Sequence, residues 1–188
     1  MPVATAAGLA VVIGAAALWH RHSLLPRRFG VVAEGRLYRC GEITPRQLAY
    51  VARRYGLRTV LSLLDPAAPE SVAERRAAEE LGLRWINVRL PGNGASTPEQ
   101  RQRIKAVLLA PDAGPTLVHC AAGVNRTGLA VGLYRIHSQG WTVAEVLAEM
   151  RAYGFEDLAR HQDLREALQA EAVLAEAGSQ PASQQTQP

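Results

Sequence analysis

Hydrophobic and polar positions along the chain switch repeatedly between a helical period and short apolar runs. Leu48, Val51, Ala52 and Tyr55 recur at helical spacing, with Thr44 as N-cap, Pro45 as first helical residue and Gly56 closing the pattern. Residues 59–64 follow as an apolar run of strand length. The same unit returns as a helix over 71–81, closed by Gly82, and a strand over 84–90 that opens into the Pro-Gly-Asn-Gly loop 91–94. Thr97 and Gln100 form a capping box that launches a helix to about residue 110, where Pro111, Gly114 and Pro115 stop it. A short strand is expected over 36–39 and a buried one over 116–119, followed by helices over 126–139, 143–153 and 158–177.

Helix alternating with strand implies an α/β fold. The expected form is a small three-layer sandwich with a central, mostly parallel sheet of four to five strands and its ligand loops at the strands' carboxyl edge. At 188 residues and 48% hydrophobic content, the chain can bury one core. That domain is expected over residues 27–177, with the polar, Gln-rich stretch 178–188 as a disordered tail.

The first residues stand apart. Residues 3–19 are uncharged and rich in Ala, Gly, Val and Leu, and His20, Arg21, His22, Arg27 and Arg28 follow them. A membrane-spanning helix needs at least about 17 apolar residues, and a signal peptide would carry its basic residues ahead of the apolar run rather than behind it. The expectation is an N-terminal membrane anchor within residues 1–23, tethering a cytoplasmic catalytic domain to the inner membrane through residues 3–19. The alternative is a helix packed on the domain or a plain extension.

Charge and cysteine content narrow the function classes. The net charge of +4 is carried by arginine, Lys105 being the only lysine, and is too mild and dispersed for a nucleic-acid binder. Trp85, Tyr134 and Trp141 fall where burial is expected and offer no base-stacking platform. A mild positive excess does favour anionic substrates. Cys40 and Cys120 stand in no metal-ligand spacing and form no disulfide framework, so reduced thiols and no metal site are expected.

The chemistry is concentrated where the strand 116–119 ends, in the string His119-Cys120-Ala121-Ala122-Gly123-Val124-Asn125-Arg126-Thr127-Gly128. A turn from Cys120 to Arg126 lets successive backbone N–H groups of Ala121, Ala122, Gly123, Val124, Asn125 and Arg126 surround one tetrahedral oxyanion. The N-terminus of a helix starting near Arg126 adds its positive end. Gly123 supplies the backbone freedom, and the planar fork of Arg126 can hold two phosphate oxygens. The same donors favour a thiolate at Cys120, the nucleophilic form. His119 is expected to orient the loop by hydrogen bonding, and Thr127 to donate to the cysteine sulfur as it leaves.

This string resembles the signature of the cysteine-based phosphatases, in which His-Cys, five residues and Arg precede Ser or Thr; it matches at His119, Cys120, Gly123, Arg126, Thr127 and Gly128. Gly35-Arg36-Leu37-Tyr38-Arg39-Cys40-Gly41, Thr44-Pro45 and the run 59–63 resemble the opening of compact atypical dual-specificity phosphatases, and the likeness covers residues 29–155. It implies a protein-tyrosine or dual-specificity hydrolase that cleaves phosphate monoesters through a cysteinyl-phosphate, acts on a phosphorylated protein or small phosphorylated substrate, and needs neither metal nor organic cofactor.

The general acid departs from that pattern. The resemblance implies an aspartate in the loop corresponding to 90–97, which here contains no Asp or Glu. Asp65, at the end of a strand and before Pro66, is the substitute candidate, with a turn-forming Asp-Pro as its alternative. Glu99 reads as a helix-start carboxylate. Without an acid, phosphoanhydrides would lose least, and the Pro-Gly-Asn-Gly loop also resembles plant and fungal phosphatases of inositol pyrophosphates. Inositol pyrophosphates and phosphoinositides are therefore alternative substrates, with Arg89, Arg101 and Arg103 as residues that could line a polyanion's approach. A catalytically inactive phosphate-recognition module and a sulfurtransferase are the rival classes. Cys40 reads as core packing.

Overall fold

The computed structural model describes residues 24–179; the apolar run 3–19, read above as an anchor, and residues 180–188 of the polar tail lie outside them. Among the described residues no helix is long and apolar enough to cross a membrane. The strands are β1 (Gly30–Ala33), β2 (Leu37–Cys40), β3 (Thr59–Ser62), β4 (Arg84–Asn87) and β5 (Thr116–His119). The helices are α1 (Pro45–Tyr55), α2 (Pro69–Glu80), α3 (Pro98–Leu108), α4 (Asn125–Gln139), α5 (Val143–Ala152) and α6 (Gln162–Ser179), with a 3-10 turn at Ala159–His161.

The strands form one sheet in the order β1-β2-β5-β3-β4. Only the β1–β2 pairing is antiparallel; β2–β5, β5–β3 and β3–β4 are parallel, so the expected α/β sandwich with a mostly parallel sheet is what the chain forms. The fifth strand, β1, is an addition: its four residues, Gly-Val-Val-Ala, carry no alternation long enough to read. Helix α6 runs to Ser179, two residues into the polar stretch 178–188.

Alternation along the strands sorts the two faces of the sheet. Tyr38, Cys40, Val60 and Leu117 pack with Leu48 and Val51 of α1 and Ala77 and Ala78 of α2. Leu37, Leu61 and Val118 pack on the other side with Ile104 of α3, Leu129 and Leu133 of α4, Met150 of α5, and Leu164 and Leu168 of α6. Each fully buried Leu or Val contributes about 1.5–3 kcal/mol, so these two layers carry the fold. The N-cap read at Thr44 and the capping box read at Thr97 both form; Thr44 makes a full box as well, each Thr hydroxyl accepting from the amide of Gln47 or Gln100 while the Gln side chain accepts from the Thr amide.

Candidate active site

The parallel strands end in step. Cys40 of β2 and Ser62 of β3 are both in register with His119 of β5, and Asn87 of β4 is in register with Ser62. The chain therefore leaves the central strand at Cys120, on the carboxyl edge of the sheet, where parallel α/β folds hold ligands. Cys120 packs with the α3–α6 side of the core and Cys40 with the α1–α2 side; both are free thiols. Burial pushes the Cys40 thiol well above its ordinary value, in keeping with its reading as core packing.

The loop after Cys120 closes tightly. The Gly123 amide donates to the Cys120 sulfur at 3.2 Å. Gly123 has φ +74°, and a Cβ there would lie 2.7 Å from the Gly41 nitrogen and 2.8 Å from the Cys40 carbonyl carbon, so both conformation and space demand glycine. Helix α4 begins at Asn125, one residue earlier than expected, and no side chain caps its first turn. Its leading amides are thus free for an anion. Arg126, in that first turn, donates from Nη1 to the Leu63 and Leu90 carbonyls at 3.3 and 3.5 Å, and its Nε and Nη2 have no protein acceptor among the described residues. Thiol, inward amides, helix N-terminus and guanidinium together form a cradle for a tetrahedral oxyanion.

His119 turns to the opposite face of the sheet and is fully buried. Its Nε2 lies 2.9 Å from Oε2 of the buried Glu74 of α2, close but out of line for a hydrogen bond, and neither ring nitrogen has a hydrogen-bond partner among the described residues. Glu74 also accepts from Trp85 Nε1 at 2.7 Å. Sequence reading missed Glu74, which looks like a surface residue within Ala-Glu-Arg-Arg. The buried Thr127 hydroxyl donates to the Cys40 carbonyl at 3.5 Å, beside the loop.

The acid candidates are otherwise engaged. One Asp65 oxygen accepts from the Ala67 amide at 3.0 Å, as in a turn-forming Asp-Pro, and the other pairs with Arg89 at 2.9 Å. The Thr97 hydroxyl and its own backbone amide hold the exposed Glu99 carboxyl below its ordinary value, as a helix-start residue requires. Arg101 is buried on Glu171, and Arg103 donates to the Asn87 carbonyl; with Arg89 on Asp65, none of the three is a free lining cation. The loop 91–94 is tied to the cradle through Asn125, whose Nδ2 donates to the Gly92 carbonyl at 3.2 Å and meets Nε2 of buried His161 at 3.3 Å. The tautomer that satisfies this network carries its proton on Nδ1, 2.7 Å from the Glu156 carbonyl. His161 had no sequence signal; it lies 36 positions beyond Asn125. Among the described residues no group of three or more His, Cys, Asp or Glu could hold a metal ion.

A sequence model of the tyrosine phosphatase family matches residues 23–184. Dual specificity protein phosphatase TpbA of Pseudomonas aeruginosa strain UCBPP-PA14 is 48% identical over 54 residues, 29% of this chain and 23% of that protein; the match thus spans about a quarter of the relative. Among solved structures, the core catalytic domain of the PP-IP phosphatase SIW14 of S. cerevisiae superposes with a TM-score of 0.65 at 23% identity, covering 82% of this chain and 94% of that one. A variant of P. aeruginosa TpbA in complex with pTyr superposes at 0.57 and 24%, covering 75% and 86%. Both superpositions speak to the fold.

Proposed function

The chain belongs to the tyrosine phosphatase family, and on that premise we propose that it hydrolyses phosphate monoesters of the phosphotyrosine and dual-specificity type, with Cys120 as nucleophile. The Cys120 thiolate attacks phosphorus and the bond to the leaving oxygen breaks, giving a phosphocysteine and an alkoxide or phenoxide that takes a proton from solvent. Water then attacks phosphorus, the P–S bond breaks, inorganic phosphate departs and the thiolate returns. Arg126 and the amides from Ala121 through Arg126 bind the transferring group, whose charge they neutralise. His119 and Thr127 act on the loop's shape. The observation that carries this reading is the Cys120 sulfur held 3.2 Å from the Gly123 amide at an uncapped helix N-terminus.

One observation favours a second substrate class. The loop 90–97 carries no carboxyl, and both oxygens of Asp65 are occupied, so substrates with stable anionic leaving groups lose least. Phosphoanhydrides such as inositol pyrophosphates meet that condition, as do aryl phosphates.

The test is the turnover of the full chain, beside its Cys120→Ser variant, on an aryl phosphate, on phosphotyrosine and phosphoserine peptides and on an inositol pyrophosphate, without added metal. Turnover lost with Cys120→Ser is expected, with the aryl phosphate and the anhydride ahead of phosphoserine. An Asp65 that protonates the leaving group would cost about 10²–10⁴-fold on removal, whereas a turn-forming Asp65 predicts only a few-fold loss in Asp65→Asn. Undiminished turnover in Cys120→Ser would overturn the assignment.

A further inference from the structure

Three consecutive carbonyls of the signature loop point away from its interior, and each meets an arginine from outside the motif. The Ala121 carbonyl accepts from Arg27 Nε at 3.1 Å and Nη2 at 2.6 Å. The Ala122 carbonyl accepts from Arg28 Nη1 at 3.1 Å, and the Gly123 carbonyl from Arg39 Nη2 at 2.8 Å. Peptide units that aim their N–H groups inward at an oxyanion must aim carbonyls outward, so an inward cradle creates an outward row of acceptors. A cation on each carbonyl fixes that orientation and polarises the peptide, which strengthens the donor on its inner side.

The arginines are held in place for this contact. Arg39 is fully buried on β2, its guanidinium 3.6 Å from the centre of the Tyr153 ring, with Nε and Nη1 unpartnered. Burial lowers its pKa from the ordinary value, opposed by Tyr153, Glu149 and Cys120. An interior guanidinium with two nitrogens unsatisfied among the described residues is costly, and its one hydrogen bond there goes to the signature loop. Arg28 has φ +52°, the sole non-glycine residue with positive φ among the described residues, a conformation that L-residues adopt at a cost. The Arg27 carbonyl accepts from the Gly41 amide at 2.8 Å, and a Cβ on Gly41 would lie 2.7 Å from Arg27 Cγ and 3.0 Å from the Ala121 carbonyl oxygen. The Glu42 amide joins the same Ala121 oxygen at 2.9 Å.

We propose that Arg27, Arg28 and Arg39 are positioning residues that brace the phosphate loop from outside, and that through Arg27 and Arg28 the segment entering the domain has a direct hold on the catalytic loop. The inference rests on the loop being the phosphate cradle described above. Arg27 and Arg28, which sequence reading took for the basic flank of an anchor, thereby belong to the site. Their three charges also favour a dianion bound on the inner side.

The test uses the full chain carrying Arg27→Ala with Arg28→Ala, and a second form with Lys at both positions. Binding of inorganic phosphate is measured calorimetrically in a Cys120→Ser background, with KM and kcat on an aryl phosphate and the melting temperature measured in the Cys120 protein. Loss of the three charge-assisted hydrogen bonds that Arg27 and Arg28 donate predicts phosphate binding weaker by about tenfold or more and KM raised in parallel. The melting temperature should hold, since both side chains are exposed, and the lysine pair should recover part of the loss by donating to the same carbonyls. Unchanged phosphate affinity beside Cys120-dependent turnover overturns the brace and leaves the phosphatase reading intact. A lowered melting temperature with unchanged affinity also overturns it, since the arginines would then serve only the fold. Weakened phosphate binding in a protein with no turnover supports the brace and removes the catalytic reading.

Discussion

Cys120 and Gly123 show how little freedom the signature loop has. Gly123 carries the sulfur's amide donor, a carbonyl bound by Arg39, a positive φ and backbone neighbours within 2.8 Å of any Cβ. Gly123→Ala should therefore reshape the cradle and lower kcat/KM by about a hundredfold or more, since misplacing donors by an ångström costs that much. Steady-state kinetics beside a melting curve checks this, because a substitution that harmed only stability would leave kcat of the folded protein unchanged. The string from His119 to Gly128 was legible because its chemistry resides in the residue types and their spacing. Glu74, His161, Arg27, Arg28 and Arg39 were not, since a Glu or Arg in sequence reads as solvated charge by default, and only the fold brings them to the loop. The partners of Asp65, Arg89 and the Ala67 amide, were likewise not legible from its position at a strand end.

Helices with local start and stop signals were read nearly to the residue, because capping is a contact between residues three apart. β1 was not, because a four-residue edge strand is defined by its partner β2 rather than by its own pattern. The C-terminal helix α6 depends on a contact equally invisible in sequence. Buried Glu171 accepts from Arg101 at 2.9 Å and Lys105 at 2.6 Å on α3, and lies 2.8 Å from His137 Nε2 on α4. Burial acts to raise the Glu171 carboxyl, but the hydrogen bonds from Lys105, Arg101 and His137 outweigh it and hold it below the ordinary 4.5. A carboxyl depressed in the folded state adds stability above its unfolded value and loses it as pH falls through the folded one. Glu171→Gln should cost about 2–4 kcal/mol at neutral pH, by leaving buried cations without a countercharge. The gap between variant and wild type should shrink as pH falls below the ordinary carboxyl value of 4.5 and through the lower folded one. Urea unfolding at several pH values reads both effects; a gap independent of pH would mean that the carboxylate charge is not what holds α6.

At the scale of the molecule, the sheet order puts β5 between β2 and β3, so the strand feeding the signature is the most enclosed and its loop sits where three parallel strands end together. A parallel sheet between helical layers was legible from the alternation of helix and strand, whereas the placing of α1 and α2 on one face and α3 through α6 on the other came only with the fold. The same architecture brings the entering segment back against the catalytic loop, and it separates Cys40 from Cys120 across the sheet. The role proposed for the cradle is to form and break a phosphorus–sulfur bond at Cys120. The most direct measurement is rapid acid quenching of the protein during turnover of an aryl phosphate, followed by mass spectrometry of the peptide that contains Cys120. The account predicts that peptide with the added mass of one phosphoryl group on Cys120, absent without substrate and absent in Cys120→Ser. Turnover with that peptide unmodified, or with the phosphoryl group on another residue, would contradict it.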